Sequence, residues 1–349
     1  MFFLEILTSY IVPIIYTSFV SLVLVLFFLF IFRIKDSNIR ILFFFLPLIK
    51  PFIIISEKMD VHQSKPVIIG PRLPSPNNIL KIFNVFDKGP TVFSNINYLV
   101  LLLIIISIIT ILIIRWIILY LFYKNLAYED KVGRKEVPEI YNIIDDYIKK
   151  IKIKAPDVSL THRGYYSPFV VGIKKSTLVL SPNLLEKLDI NEKETLIQHE
   201  LSHIKRKDNL IGWAALILRD FLFFNPFAYV AYYLIKTEQE KDSDKLVVKY
   251  AGTPAKKIAK NILNIILKIR SITTSKLTPL PAQSFKFTPL SLFSQIRLKN
   301  RINSISKTNP DKIYSLILPK ILMYILFSVL IIIQLMFVIN INNFYIFLR

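Results

Sequence analysis

The sequence predicts a mainly α-helical membrane protein, with about four transmembrane helices and an α+β domain inserted between them. Three observations predict it. Hydrophobic residues make up 53% of the 349 positions and mean hydropathy is +0.49, too apolar for an ordinary soluble chain. Several stretches reach the roughly 20 apolar residues that a helix needs to cross a bilayer core. Between them, residues 124–315 mix helical and strand patterns with frequent charges.

The spans follow in order. Residues 11–32, "IVPIIYTSFVSLVLVLFFLFIF", carry no charge; the segment lacks a small-residue cleavage site and exceeds a signal-peptide core, so it is expected to remain as an anchor. Residues 41–55 are interrupted by Pro47, Lys50 and Pro51, which predicts a kinked or shallow span. Residues 98–123 contain one charge, Arg115, with Trp116 and tyrosines near the ends as interface anchors. The stretch 318–340 completes the set. The predicted division is an N-terminal transmembrane region, 1–123, with an external loop at 56–97; a domain at 124–315; and a C-terminal transmembrane helix and tail, 316–349.

The formal net charge is +21, but Lys and Arg are scattered singly among apolar residues, which predicts contact with the anionic lipid bilayer and no nucleic acid partner. Residues 124–315 hold 33 Lys and Arg against 19 Asp and Glu, whereas 56–97 hold five against three. The positive-inside tendency therefore places 124–315 and the 33–40 turn in the cytoplasm and 56–97 outside, in a multi-pass protein of the cell membrane. With no cysteine, disulfides and thiol nucleophiles are excluded, and any metal site must use His, Asp and Glu.

Within the domain, apolar positions 140, 143, 144, 147, 148 and 151 predict a helix over 136–151. Residues 157–182 predict short strands broken by Gly164, Pro168 and Gly172. Residues 271–310, rich in Ser, Thr and Pro at first, predict a loop.

The chemistry concentrates in "LIQHELSHIKRKDN", 196–209. Asn191 and Glu194 predict a capping box, with the helix running through His203 toward Lys207. His199 and His203 then stand about 6 Å apart along the axis and about 40° around it, so one ion can reach both rings. Glu200, next to the first histidine, is placed as general base for an activated water. The plain alternative is two surface histidines, but the chain has only four, the others being His62 and His162. His162 is placed by no motif and is read as structural.

An extended three-histidine pattern is closed by Arg206 and Asn209. A third ligand is sought on a helix opened by Pro226, which carries the i,i+4 pairs Glu238/Asp242 and Glu240/Asp244. Spacing does not choose between the pairs, and a solvated acidic face is the plain reading of both. The apolar run 210–235 is a test: crossing the membrane once would part the motifs by about 30 Å. Arg219, Asp220, Asn225 and Pro226 interrupt it, which predicts core packing or a dip into the bilayer and return.

With these motifs in place the chain resembles the BlaR/MecR family of integral-membrane zinc metallopeptidases. The likeness is carried by "SPFVVGIKKSTLVLSPNLL" (167–185), the 196–210 motif, "FNPFAYV" (224–230), "EKDSDKLVV" (240–248) and "LKNRINSI" (298–305). It implies a zincin-like domain in which His199, His203 and Glu240 ligate Zn2+ and Glu200 is the general base. Asp244 would orient a ligating histidine, Asp208 would brace the end of the motif helix, and Arg301 would meet a carboxylate near the site or the substrate. The implied activity is a zinc endopeptidase hydrolysing peptide bonds with a Glu-activated water on zinc, in signalling by cleavage of a regulatory protein, with a protein or peptide substrate and room for a homo-oligomer. Membrane quality control or prenyl-protein proteolysis is the neighbouring alternative; a non-catalytic sensor or scaffold with structural zinc is the alternative of another class. The segment "GIKKSTLVL" (172–180) is expected to offer an edge strand to an extended substrate. Members that sense β-lactams carry a penicillin-binding domain after the last span, whereas here the chain ends nine residues beyond Asn340, so resistance signalling is not expected.

Overall fold

The computed structural model describes residues 11–59, 98–161, 167–272, 291–306, 308, 321–322 and 324–334. His162, most of the 56–97 loop and residues 273–290 lie outside them, as do parts of the 318–340 stretch. The protein is α-rich with one small sheet and divides into two compact units. Unit 1 comprises Met1–Leu112, Ile217–Ile235 and Leu316–Arg349; unit 2 comprises Ile113–Leu216 and Lys236–Ser315.

The helices of the N-terminal region are α1 (Val12–Ile31), α2 (Ser37–Met59) and α3 (Tyr98–Glu129). Among the described residues, two helical stretches are long and apolar enough to cross a membrane: Val12–Ile31 and Ile106–Asn125. The predicted span 41–55 lies inside α2, a helix that runs through Pro47 and Pro51, and Tyr324–Gln334 is a shorter apolar helix within the predicted span 318–340. Proline at 51 has no N–H to give the carbonyl four residues back. Ser18 Oγ donates to that Pro47 carbonyl at 3.1 Å, and Asn225 Nδ2 donates to Ser18 Oγ at 2.7 Å. Ser21 Oγ donates to Gln334 Oε1 at 2.8 Å. These oxygens are buried and hydrogen-bonded within unit 1, as an apolar environment demands.

The chain leaves and re-enters unit 2 through a helical hairpin, α7 (Asp208–Phe221) and α8 (Pro226–Tyr250). Asn225 caps α8 by accepting from Phe227 N at 3.0 Å. The interrupting charges pair with each other: Arg219 donates to Asp220 at 2.5 Å, and its guanidinium lies 4.6 Å from the Tyr232 ring centre. His203 and Glu240, on either side of the 210–235 run, stand 3.6 Å apart, so the run does not part the two motifs.

Unit 2 holds strands β1 (Lys131–Val132), β2 (Asp157–Leu160), β3 (Phe169–Val171) and β4 (Thr177–Leu180), in sheet order β1-β2-β4-β3. β2 and β4 are parallel; the outer pairs are antiparallel. The expected edge strand is thereby corrected. β4, the second half of 172–180, lies inside the sheet, because the chain reverses at Gly172 (φ +91°), where a Cβ would collide with the Lys175 carbonyl. The edge on that side is β3. One face of the sheet packs with α4 (Pro138–Ile151) and α6 (Ile190–Arg206), which follows the single turn α5 (Pro182–Leu185). Ile144, Tyr147, Val158, Leu178, Leu180, Ile197 and Leu201 form this core.

Two local readings are also corrected. The capping box of α6 is Asp189 with Glu192, two residues earlier than expected: Asp189 Oδ1 accepts from Glu192 N at 2.9 Å and Glu192 Oε2 accepts from Asp189 N at 3.1 Å. Asn191 therefore sits in the first turn, and its carbonyl accepts from Thr195 Oγ1 at 2.7 Å. Residues 291–306, read as loop, form helix α10, because Ile302 and Ile305, three apart, pack on Val247, Val248 and Ile258 of α8 and α9 (Ala255–Ile272). α9 is latched to the start of α6 by Asn261 Nδ2 donating to Thr195 Oγ1 at 2.9 Å and Lys268 Nζ to Glu192 Oε2 at 2.5 Å.

Ile197 is fully buried between the two histidine-bearing turns and the sheet. Ile197→Ala should lower stability by about 2–5 kcal/mol, read as a drop in unfolding temperature of the detergent-solubilised protein; a variant that melts with the parent would show that this core does not hold the motif helix.

Candidate metal centre

Helix α6 presents His199, Glu200 and His203 on its buried side because the same helix also buries Leu196, Ile197 and Leu201 against the core. α8 crosses this face with Glu240 and Asp244, one turn apart. His199 Nε2 stands 3.2 Å from His203 Nε2 and 3.4 Å from Glu240 Oε2, and His203 Nε2 stands 3.6 Å from Glu240 Oε1. Three donors arranged tetrahedrally at zinc bond lengths would be roughly 3.3 Å apart. The donor set and its spacing therefore fit a metal ion, and Glu240 Oε2, although buried, has no hydrogen-bond partner.

Each ring is held from its other side. His203 Nδ1 is 2.7 Å from Asp208 Oδ2, and His199 Nδ1 is 3.0 Å from Asp244 Oδ1, the latter close but poorly aligned for a hydrogen bond. A carboxylate at Nδ1 draws the ring proton there and leaves the Nε2 lone pair for a metal. Asp208, expected to brace the end of the helix, pairs with Arg206 in its last turn at 3.1 Å and also reaches His203, because Lys207 ends α6 in the left-handed conformation (φ +57°) and α7 starts at once.

Of the two carboxylate pairs, Glu240/Asp244 meets the histidines. Glu238 pairs with Lys241 at 2.8 Å, while Asp242 pairs with Arg206 and, at 3.7 Å, with Lys245. Arg301, from α10, reaches into the site: Nε and Nη2 donate to Asp244 at 2.6 and 2.8 Å, and Nη1 lies 3.1 Å from Glu240 Oε2. Sequence reasoning missed Ser243, whose hydroxyl is 3.0 Å from His203 Nδ1, and Arg206, whose Nε donates to Asp208 at 3.1 Å. It also missed Lys236, whose ammonium interacts with Asp208, Glu240 and Glu200. Positions 236, 240, 243 and 244 share one helical face, and that periodicity was the available signal.

The electrostatics follow from burial among these charges. Burial alone would lower the His199 pKa, but the carboxylates of Asp244 and Glu240 outweigh it and raise the pKa to about 10. Burial raises the Asp244 and Glu240 carboxyls, yet Arg301 and the histidines bring both below the usual range. Glu200 is raised, because burial there outweighs the two histidines. No described residue hydrogen-bonds to its carboxylate. Glu200 lines a cleft of about 60 Å³ with both His199 and Glu240, beside Ser167 and Pro168 and facing an isoleucine wall from α9.

The profile of the BlaR1 peptidase M56 family matches residues 14–287. The chain is 32% identical to the methicillin resistance MecR1 protein of Staphylococcus aureus over 83 residues, 24% of this chain and 14% of that protein. It is 32% identical to the regulatory protein BlaR1 of Bacillus licheniformis over 119 residues, 34% of this chain and 19% of that one. It is 34% identical to a protease HtpX homolog of Thermococcus kodakarensis over 86 residues, 24% of this chain and 30% of that one. The matched segments span less than a third of the length of these relatives, and Arg301 lies beyond the residues of the family match. Because that match runs through more than three quarters of the chain and takes in both histidines and Glu240, the chain belongs to the BlaR1 peptidase M56 family.

Proposed function

We propose that the protein is a membrane-anchored zinc endopeptidase, with its catalytic unit in the cytoplasm, that cuts a regulatory protein in signalling. The observation that carries the reading is the triangle of His199 Nε2, His203 Nε2 and Glu240 at zinc-like spacing, with Glu200, to which no described residue hydrogen-bonds, on the same cleft wall. A purely structural metal would have no use for that carboxylate, which weighs against a scaffold.

Zinc, held by His199, His203 and Glu240, would supply Lewis acidity that polarises the scissile carbonyl and lowers the pKa of water. Glu200 takes a proton from the attacking water as its oxygen bonds to the carbonyl carbon. It then delivers a proton to the amide nitrogen as the C–N bond breaks, leaving a carboxyl and an amine. Burial raises the proton affinity of Glu200, which suits a carboxylate that both takes and returns a proton. Asp208 and Asp244 keep the histidines oriented, and Arg301 balances Glu240 and Asp244. An extended substrate pairs with the outer edge of β3, whose chain enters from Ser167 and Pro168 at the cleft. Ile262 and Ile266 favour an apolar substrate side chain there.

Glu200→Gln should cut hydrolysis of a casein-like substrate by about 10²–10⁴-fold while the purified protein keeps its zinc; full cleavage by this variant would sink the mechanism. By elemental analysis, Glu240→Ala should lose stoichiometric zinc and Glu238→Ala should retain it; the reverse pattern would reassign the third ligand. Lys205 is exposed and the chain has no cysteine, so Lys205→Cys in intact cells should resist a membrane-impermeant maleimide until permeabilisation. Labelling from outside would overturn the topology.

A further inference from the structure

A cavity larger than the metal cleft lies elsewhere in unit 2, and the two linings share no residue. It measures about 450 Å³ and is walled by Tyr120, Tyr123, Lys124 and Tyr128 from the last turns of α3, by the β3–β4 hairpin, and by Asn209 and Trp213 of α7. Its floor is apolar: Tyr123 is buried and stands edge-on to Trp213 at 6.3 Å and to Phe169 at 6.2 Å, over Val171. Its rim is cationic. Lys124, Lys174 and Lys175 line it with a single acid, Asp157, which is already engaged by Lys131 at 2.8 Å and Lys175 at 3.8 Å. Lys124 and Lys174 are exposed and make no ion pair or hydrogen bond to a described residue.

The surface leading to the cavity specifies the rest of the ligand. Ile114, Ile117, Ile118 and Leu121 are exposed by 51%, 51%, 60% and 47%. They fall at i, i+3, i+4 and i+7, an apolar stripe on one face of α3, a helix that exposes apolar residues on other faces as well, Ile113 by 45% and Tyr120 by 61%; three residues beyond Leu121 comes Lys124. The stripe belongs to the stretch Ile106–Asn125, long and apolar enough to cross a membrane. A ligand matching both parts has a long apolar tail along the stripe and an anionic head at the lysines, where aromatic residues mark the position of a bilayer interface.

We propose that this cavity binds the phosphate headgroup of an anionic membrane phospholipid, with an acyl chain lying on the α3 stripe. The site adjoins the metal centre through the first turn of α7. Asn209, on the cavity wall, donates to the Val170 and Gly172 carbonyls at 2.9 and 3.1 Å. Its neighbour Asp208 holds His203, so an occupied cavity braces both the β3 edge and a histidine.

Trp116 and Trp213 are the two tryptophans of the chain, so Trp116→Phe leaves a reporter in the cavity wall. In phosphatidylcholine nanodiscs, brominated phosphatidylglycerol should quench Trp213 more strongly than brominated phosphatidylcholine at equal mole fraction. Lys124→Gln and Lys174→Gln should each weaken that preference roughly fivefold, with the unfolding temperature unchanged. Equal quenching by the two lipids would overturn the proposal. So would loss of the preference on adding inorganic phosphate, which would assign the site to a free anion, or displacement by a soluble acidic peptide, which would assign it to a protein partner. The measurement needs no turnover and can be made on Glu200→Gln protein, so its outcome is independent of the proposed peptidase activity.

Discussion

A carboxylate behind each histidine is the constraint on which the rest of the structure depends. An imidazole has two nitrogens, and two rings on one helix turn converge on a point only if both are prevented from rotating. Asp244 at His199 and Asp208 at His203 do this from different helices. One requirement is that α6 stop at Lys207, so that Asp208 lies beneath the ring it serves. Another is that the chain, after its excursion through the α7–α8 hairpin, bring Glu240 and Asp244 back across the same face. The core residues of α6 and the latch from α9 then fix the helix that carries both rings.

Such a site gathers charges that are individually costly to bury. Glu200, Glu240, Asp208 and Asp244 are all buried, and isolated carboxylates in that position would give up their charge. Arg301, Arg206 and Lys236 supply the compensating cations, and Arg301 does so with both carboxylates of the α8 face at once. The same negative field that raises His199 to about 10 would favour a divalent ion in competition with the proton. Among the described residues, Glu200 alone of these carboxylates has no ion-pair or hydrogen-bonding partner, as the proposed proton transfer requires.

In unit 1 the same accounting applies to neutral groups. Pro51 would leave the Pro47 carbonyl bare in an apolar helix, and it is tolerated because Ser18 takes that oxygen and Asn225 in turn takes the serine. Arg219 is neutralised by its neighbour Asp220 and covered by Tyr232. Buried polar groups in such a setting hold helices together because the alternative is an unsatisfied group in hydrocarbon.

Much of this was legible in order along the chain. Apolar runs marked the helices, period 3.6 marked α4, and the His-Glu-x-x-His spacing placed two imidazoles and a carboxylate on one side of α6, because these are properties of a single helix turn. Legibility failed where partners are distant in sequence. Asn191 and Asp189 are both acceptable caps, and only the backbone geometry at residue 189 separates them; residues 291–306 looked like loop because the surface that holds Ile302 and Ile305 comes from α8 and α9. The sequence by itself determined that the chain is apolar enough for membranes and that any metal here is held by nitrogen and oxygen. Only the tertiary structure decided that Glu240 faces the histidines while Glu238 does not, that Arg301 enters the site from far along the chain, and that β3 rather than β4 is the sheet edge. The physical reason is that the rotation of one helix against another is set by packing summed over both, which no local spacing encodes.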